Sequence, residues 1–132
     1  MVTASATCVG RIMTTDVVCA TADLGLDVLV SLMMEQRLGC VPVIDARRHP
    51  IGVVTKLDLV EHAVIDDHCA TVDDVMMPLA LTVRDTCTIA DAAKLMLVED
   101  IHHVIVVTGD GEIAGVVSSR DLVRWLVMQE SP

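Results

Sequence analysis

The sequence predicts an α+β protein built from two pseudo-symmetric β-α-β-β-α repeats packed sheet to sheet. Three observations lead there. Sliding the 132-residue chain against itself by 63 places lays Gly52-Val-Val-Thr-Lys-Leu-Asp-Leu-Val60 over Gly115-Val-Val-Ser-Ser-Arg-Asp-Leu-Val123. With no gap, the same shift pairs Val9 with Val72, Met13 with Met76, Leu32-Met33 with Leu95-Met96, Val41 with Val104 and Val43 with Val106. Chance apolar matches cannot also align Gly52 with Gly115 and Asp58 with Asp121, so the chain is one unit written twice. Apolar residues at helical spacing, and paired short apolar runs separated by turn residues, supply the second and third observations.

The elements follow in the same order in each copy. A short strand comes first, at Val17–Ala20 and Leu81–Arg84. A helix follows, because Leu24, Val28, Leu29, Leu32 and Met33 recur at a period near 3.6, as do Ile89, Ala92, Ala93, Met96 and Leu97. Two strands joined by a turn come next, Val41–Asp45 to Ile51–Thr55 and Val104–Thr108 to Ile113–Val117. Asp110-Gly111 is a strong hairpin signal, whereas Arg47-Arg-His-Pro50 reads as a longer loop. A last helix covers Leu57–Ile65 and Ser119–Met128. The boundaries implied are a loose tail at 1–7, repeat one at 8–66, a linker at 67–70 and repeat two at 71–130. A unit of about 60 residues buries too little apolar surface to be comfortable alone, which favours packing the two sheets together.

Composition removes several classes of function. Nine basic residues against nineteen acidic ones give a net charge of −10, which repels nucleic-acid phosphates and anionic lipid. Trp125 is the one aromatic residue, so no base-stacking platform can form. No run of about 18 apolar residues is present to form a membrane span, and Met1–Thr7 lacks the basic start and apolar run of a secretory signal. Apolar residues nevertheless make up 53% and the mean hydropathy is +0.61. That excess, with Met33, Met34, Met96 and Met128 as core or interface filler, predicts a homodimer.

Five cysteines, Cys8, Cys19, Cys40, Cys69 and Cys87, form no C-x-x-C pair, so reduced thiols in a cytoplasmic protein are expected. The cluster His62, Asp66, Asp67, His68 and Cys69 matches no common zinc spacing, and no metal site is assigned. No Ser-His-Asp or Cys-His arrangement supports catalysis, and the chain reads as a non-enzyme.

The sharpest pattern is the strand-to-helix turn, Thr55-x-x-Asp58 and Ser118-x-x-Asp121. The N–H groups of a helix N-terminus attract anions, the hydroxyl can meet a phosphate, and the carboxylate can accept from a vicinal diol such as ribose. The same [ST]-x-x-[DE] spacing also makes a capping box that only starts a helix. Asp is one methylene shorter than the Glu usual there. Lys56 and Arg120 in the first turn oppose the helix dipole, and a nearby phosphate would account for them.

The succession Ile12-Met13, strand, helix, Gly39-Cys-Val-Pro-Val-Ile-Asp45 and Gly52-Val-Val-Thr-x-x-Asp58 resembles a CBS domain. Its repetition over about residues 9–128 resembles a CBS pair, or Bateman module. The resemblance implies regulation and two pseudo-symmetric clefts between repeats for AMP, ADP, ATP or S-adenosylmethionine. It also implies dimerisation through helices. One cleft would use Ser118, Arg120 and Asp121 with His102 and His103, and an adenine slot of Met13, Val17, Val18, Leu38 and Gly39. The other would use Thr55, Lys56 and Asp58 with Ala80, Leu81 and Cys40. His102 and His103, as strand neighbours, point to opposite faces, so one at most faces a given cleft squarely. Ile105 stands where the first repeat has Pro42, and Thr108 where it has Asp45, which makes two equal sites doubtful.

The expectation is therefore a stand-alone homodimeric sensor of an adenosine-type ligand, with no cofactor beyond that ligand and an unidentified regulated protein as possible partner. The alternative is a structural or partner-docking module whose clefts are vestigial.

Overall fold

Two hairpins, one in each repeat, pair a strand buried at consecutive positions with one whose burial alternates. In the computed structural model, which describes residues 3–65, 70–78 and 81–129, strands β1 (Cys40–Ile44) and β2 (Pro50–Thr55) pair antiparallel, Val41 opposite Val54 and Val43 opposite Gly52. Strands β5 (His103–Val107) and β6 (Ile113–Ser118) repeat that register, Val104 opposite Val117 and Val106 opposite Gly115. Each hairpin has a bulge at the same place, between Val43 and Ile44 and between Val106 and Val107. Val41, Val43, Val54, Val104, Val106 and Val117 are all fully buried.

A third strand completes each sheet. β3 (Met77–Pro78) runs antiparallel to β2, and β4 (Thr82–Arg84) runs parallel to β5, giving the orders β1-β2-β3 and β4-β5-β6. Helix α1 (Leu26–Gln36) buries Leu29 and Met33 against the first sheet's core. Its counterpart α4 (Ile89–Glu99) buries Ala92 and Met96 in the second core. Both end on a left-handed residue, Arg37 at φ 54° and Asp100 at φ 51°. α2 (Lys56–Ile65) and α5 (Ser119–Gln129) follow directly from β2 and β6. A single turn of helix, α3 (Val72–Val75), precedes β3. The fold is α+β with two three-stranded sheets, in line with the sequence.

The compact units are not the sequence repeats. One is Val18–Ala80; the other joins Met1–Val17 to Leu81–Pro132. Residues 70–77 therefore complete the unit built on the first hairpin, where Leu26 N–H donates to the Ala70 carbonyl at 3.1 Å and Val72 is fully buried. The equivalent residues 7–14 complete the unit built on the second hairpin, where Ile89 N–H donates to the Thr7 carbonyl at 2.8 Å and Val9 is fully buried. Each copy's opening segment finishes the other copy's core.

Two expectations need correction. The strand expected at Val17–Ala20 shrinks to one bridge, Ala20 to Val43. The Thr21 hydroxyl donates to Asp23 Oδ1 at 2.8 Å and Leu24 N–H to the Thr21 carbonyl at 3.2 Å, a local turn that competes with sheet pairing. The tail expected to be loose is bonded from Thr3 onward. Carbonyls of Ala4 and Thr7 accept from Ala90 and Ile89, and the Thr88 hydroxyl accepts from Asp91 N–H at 3.1 Å. Those three donors begin α4 and lack a partner inside the helix, whose own first bond is Ala92 N–H to the Thr88 carbonyl.

Candidate functional site

The two strand-to-helix turns are the same device with one difference. Ser118 precedes α5, and its N–H donates to Asp121 Oδ2 at 2.8 Å, while Asp121 N–H donates back to Ser118 Oγ at 3.1 Å. Thr55 precedes α2, and its N–H donates to Asp58 Oδ2 at 2.7 Å, with Asp58 N–H returning to Thr55 Oγ1 at 3.4 Å. Both are capping boxes, so the short Asp side chain does reach. The difference lies in the hydroxyl protons. Thr55 Oγ1 donates to Asp58 Oδ2 at 3.0 Å, closing the turn on itself. Ser118 Oγ accepts from Asp121 N–H and, among the described residues, spends its own proton on no acceptor.

Neighbouring strands hold the turns in place. Ser118 pairs with half-buried His103, and Ser119 N–H donates to the carbonyl of exposed His102 at 2.8 Å. Thr55 pairs with Cys40, and Lys56 N–H reaches the Gly39 carbonyl at 3.4 Å. Arg120 and Lys56 are exposed on the first turns of their helices, and Arg124 reaches Asp121 Oδ1 at 3.9 Å, the outer limit of an ion pair. In both turns the backbone N–H bond to the aspartate uses Oδ2, and at Asp58 the hydroxyl bond uses it too.

Of the other expected site residues, Met13 and Val17 belong with Ser118, Arg120 and Asp121 to the unit that also holds His102, His103 and exposed Leu81. Val18, Leu38, Gly39 and Cys40 belong with Thr55, Lys56 and Asp58 to the other. Ala80 lies outside the described residues, as do four of the five members of the cluster His62, Asp66, Asp67, His68 and Cys69.

Residues 13–14, of which Met13 was expected in the adenine slot, and residues 76–77, which the sequence did not single out as site-forming, press on the hairpins just ahead of these turns. A Cβ added at Gly115 would stand 2.6 Å from the Thr14 carbonyl oxygen, and one at Gly52 would stand 2.7 Å from that of Met77. The glycines conserved between the copies exist for that close approach, a signal the self-alignment contained.

Among the described residues, Cys8, Cys19, Cys40 and Cys87 form no disulfide. Burial, followed by the Asp58 carboxylate, pushes the Cys40 thiol up from 9.0 to about 12. Two results are expected. Under native alkylation at mildly alkaline pH, exposed Cys8 reacts first and Cys40 last, which peptide mass mapping reads. From pH 9 to 12 the unfolded thiol ionises while the folded one stays protonated, so Cys40 adds a fall in stability with rising pH that Cys40→Ala removes. Early labelling of Cys40 overturns the first, and identical pH profiles the second.

Among the described residues no helix is long and apolar enough to cross a membrane. A family model for the CBS domain matches residues 9–65 and again 72–128. An uncharacterized 17.7 kDa protein of Acidianus ambivalens is 30% identical over 122 residues, covering 92% of this chain and 74% of that one. Other relatives are longer: the chain spans 48% of an uncharacterized Methanopyrus kandleri protein and 11% of a homoserine O-acetyltransferase of Methanocorpusculum labreanum. Among solved structures, CBSX2, known from Arabidopsis thaliana, in complex with AMP superposes with a TM-score of 0.83 at 27% identity, covering 94% of this chain and 98% of that one. The CBS domain pair of MJ0100, in complex with 5′-methylthioadenosine and S-adenosyl-L-methionine, shares the fold at a TM-score of 0.85 and 18% identity, over 94% and 98% of the two chains.

Proposed function

Because the chain belongs to the CBS domain family, we propose that it is a cytoplasmic, homodimeric regulatory module that binds an adenosine-type ligand and performs no chemistry on it. The observation that carries this reading is the Ser118–Asp121 turn: at a helix start, a serine proton with no acceptor among the described residues stands beside a carboxylate whose Oδ1 meets no backbone donor. Similarity to an AMP complex at 27% identity over nearly the whole chain supports the choice of ligand.

The proposed division of labour follows from those groups. The Ser118 hydroxyl and the Arg120 guanidinium take the phosphate, the latter able to grip it with two parallel hydrogen bonds. Asp121 takes the ribose diol through Oδ1 while Oδ2 continues to cap α5. In this reading His102 and His103 join Ser118 and Arg120 at the phosphate, and Met13 and Val17 of the same unit supply apolar contact to adenine. At the other turn, Thr55, Lys56 and Asp58, with Cys40, form a weaker site. Thr55 has already given its proton to Asp58, and Lys56 is a more strongly hydrated point charge.

A thermal-shift panel of AMP, ADP, ATP, cyclic dinucleotides and S-adenosylmethionine tests the reading. A ligand at a hundred times its Kd adds about 2.7 kcal/mol, which for a chain of this size raises Tm by roughly 5–10 °C. Stabilisation by none of them leaves the docking-module alternative, and turnover of ATP in the same tubes overturns the non-catalytic part.

A further inference from the structure

The hairpin loops of the two repeats share one hydrogen-bond frame and carry opposite charges. Between β1 and β2, Asp45 N–H donates to the His49 carbonyl at 3.0 Å and Arg48 N–H to the Asp45 carbonyl at 3.0 Å. Between β5 and β6, Thr108 N–H donates to the Glu112 carbonyl at 2.8 Å and Gly111 N–H to the Thr108 carbonyl at 3.0 Å. The shift of 63 sets Arg47 on Asp110, Arg48 on Gly111 and His49 on Glu112. One frame accepts both sets, so folding does not choose the charges.

At Arg48, folding chooses against the residue present. Arg48 and its equivalent Gly111 are both left-handed, at φ 65° and φ 85°. Glycine enters that region at no steric cost, whereas a residue with a Cβ is disfavoured there. Asp45, the one acid of the loop, is committed to the backbone: its Oδ1 accepts from Arg47 N–H and from His49 N–H, each at 2.9 Å. Arg47 and Arg48 are exposed, and among the described residues neither guanidinium forms an ion pair. A chain with nineteen acidic and nine basic residues thus holds two adjacent guanidinium groups on a fixed turn, against the preference of its own backbone.

Guanidinium matches carboxylate in shape and can grip it through two parallel hydrogen bonds. Two such groups suit neighbouring acidic side chains on a short peptide. A nucleic acid asks for contacts to many phosphates, which a net charge of −10 opposes. We propose that the β1–β2 loop is the docking point for a carboxylate-rich segment of a partner protein, with Arg47 and Arg48 taking adjacent carboxylates. This goes beyond the sensor reading by giving the partner's chemistry, and it uses no residue of either strand-to-helix turn.

Fluorescence anisotropy with a fluorescein-labelled octaglutamate peptide, in buffer without nucleotide, tests it. Saturable binding that weakens with added salt is expected, although protein and peptide are both negative overall. Arg47→Asp combined with Arg48→Gly installs what the second repeat already holds on the same frame, and is expected to lower affinity roughly tenfold. Arg48→Gly alone relaxes the left-handed position, so it is expected to keep its Tm while affinity falls roughly threefold. That split separates a binding role from a structural one. A wild-type protein with no saturable binding overturns the proposal, and so does a double variant that binds as well as wild type, because the peptide then sits elsewhere. Tighter binding of an oligothymidylate of equal charge overturns the carboxylate assignment. Failure of every nucleotide in the thermal-shift panel leaves all of these outcomes readable, since none of them requires an adenosine-type ligand.

Discussion

Asp121→Ala is expected to weaken the tighter phase of adenosine-ligand binding about tenfold to a hundredfold. A charge-assisted hydrogen bond to a ribose hydroxyl is worth about 1.5–3 kcal/mol, and each 1.4 kcal/mol is a factor of ten. Asp58→Ala is expected to leave that phase nearly unchanged, because it removes a carboxylate whose Oδ2 is already held by both the N–H and the hydroxyl of Thr55. Either alanine also opens a capping box, at about 1 kcal/mol of stability, so urea unfolding belongs beside the calorimetry. Asp121→Asn separates the two effects: its amide oxygen can still accept from Ser118 N–H, so the cap survives while the charge is lost. If Asp58→Ala abolishes the tighter phase and Asp121→Ala spares it, the ranking of the two turns is reversed.

Gly115→Ala is expected to destabilise the fold by about 3 kcal/mol, lowering Tm by roughly 10 °C. The new methyl would lie 2.6 Å from the Thr14 carbonyl oxygen and 2.7 Å from the Met13 sulfur. The sulfur can swing away, but the carbonyl cannot. Thr14 and Val116 exchange two backbone hydrogen bonds of 2.9 and 3.0 Å, and relief requires pulling that contact apart. Gly52→Ala meets the same obstacle, with the Met77 carbonyl oxygen at 2.7 Å. Gly109→Ala is the control. Nothing lies within 4 Å of its added Cβ and its φ is not in the left-handed region, so it should be neutral or stabilising by up to about 1 kcal/mol through the unfolded chain. Thermal unfolding of all three decides. A Gly115→Ala protein as stable as the Gly109 control would mean that the Met13–Thr14 segment moves aside freely.

The repeat, its element order and the capped turns were legible because each writes a periodic or paired mark in the sequence. The equivalence of the hairpins was legible too: the shift that aligns Val41 with Val104 carries one hairpin onto the other, and the structure gives both the same register and bulge. The first strand was over-read. Val17-Val-Cys-Ala20 has strand-forming residues, but the Thr21–Asp23 turn ends the pairing after Ala20, and a local side-chain bond of this kind leaves no periodicity. At the candidate site, residue types and spacing established that a hydroxyl, a cation and a carboxylate share each turn. Serine and threonine look interchangeable there, and only atomic positions distinguish the Thr55 proton, given to Asp58, from the Ser118 proton, which is not.

By itself, then, the sequence determined the unit: its α+β character, its duplication and the chemistry of its turns. Only the tertiary structure decided which segment completes which core. Residues 7–14 and 70–77 share the buried valine (Val9, Val72) and the methionine (Met13, Met76) and offer the equivalent carbonyl to the equivalent helix start, so either could serve either hairpin on those grounds. Their pattern is degenerate for that choice. The contacts of Val9 and Thr7 with the 81–129 unit, and of Val72 and Ala70 with the 18–65 unit, depend on where the chain carries each segment after it has left its own repeat, a property of the path through space that no local preference encodes.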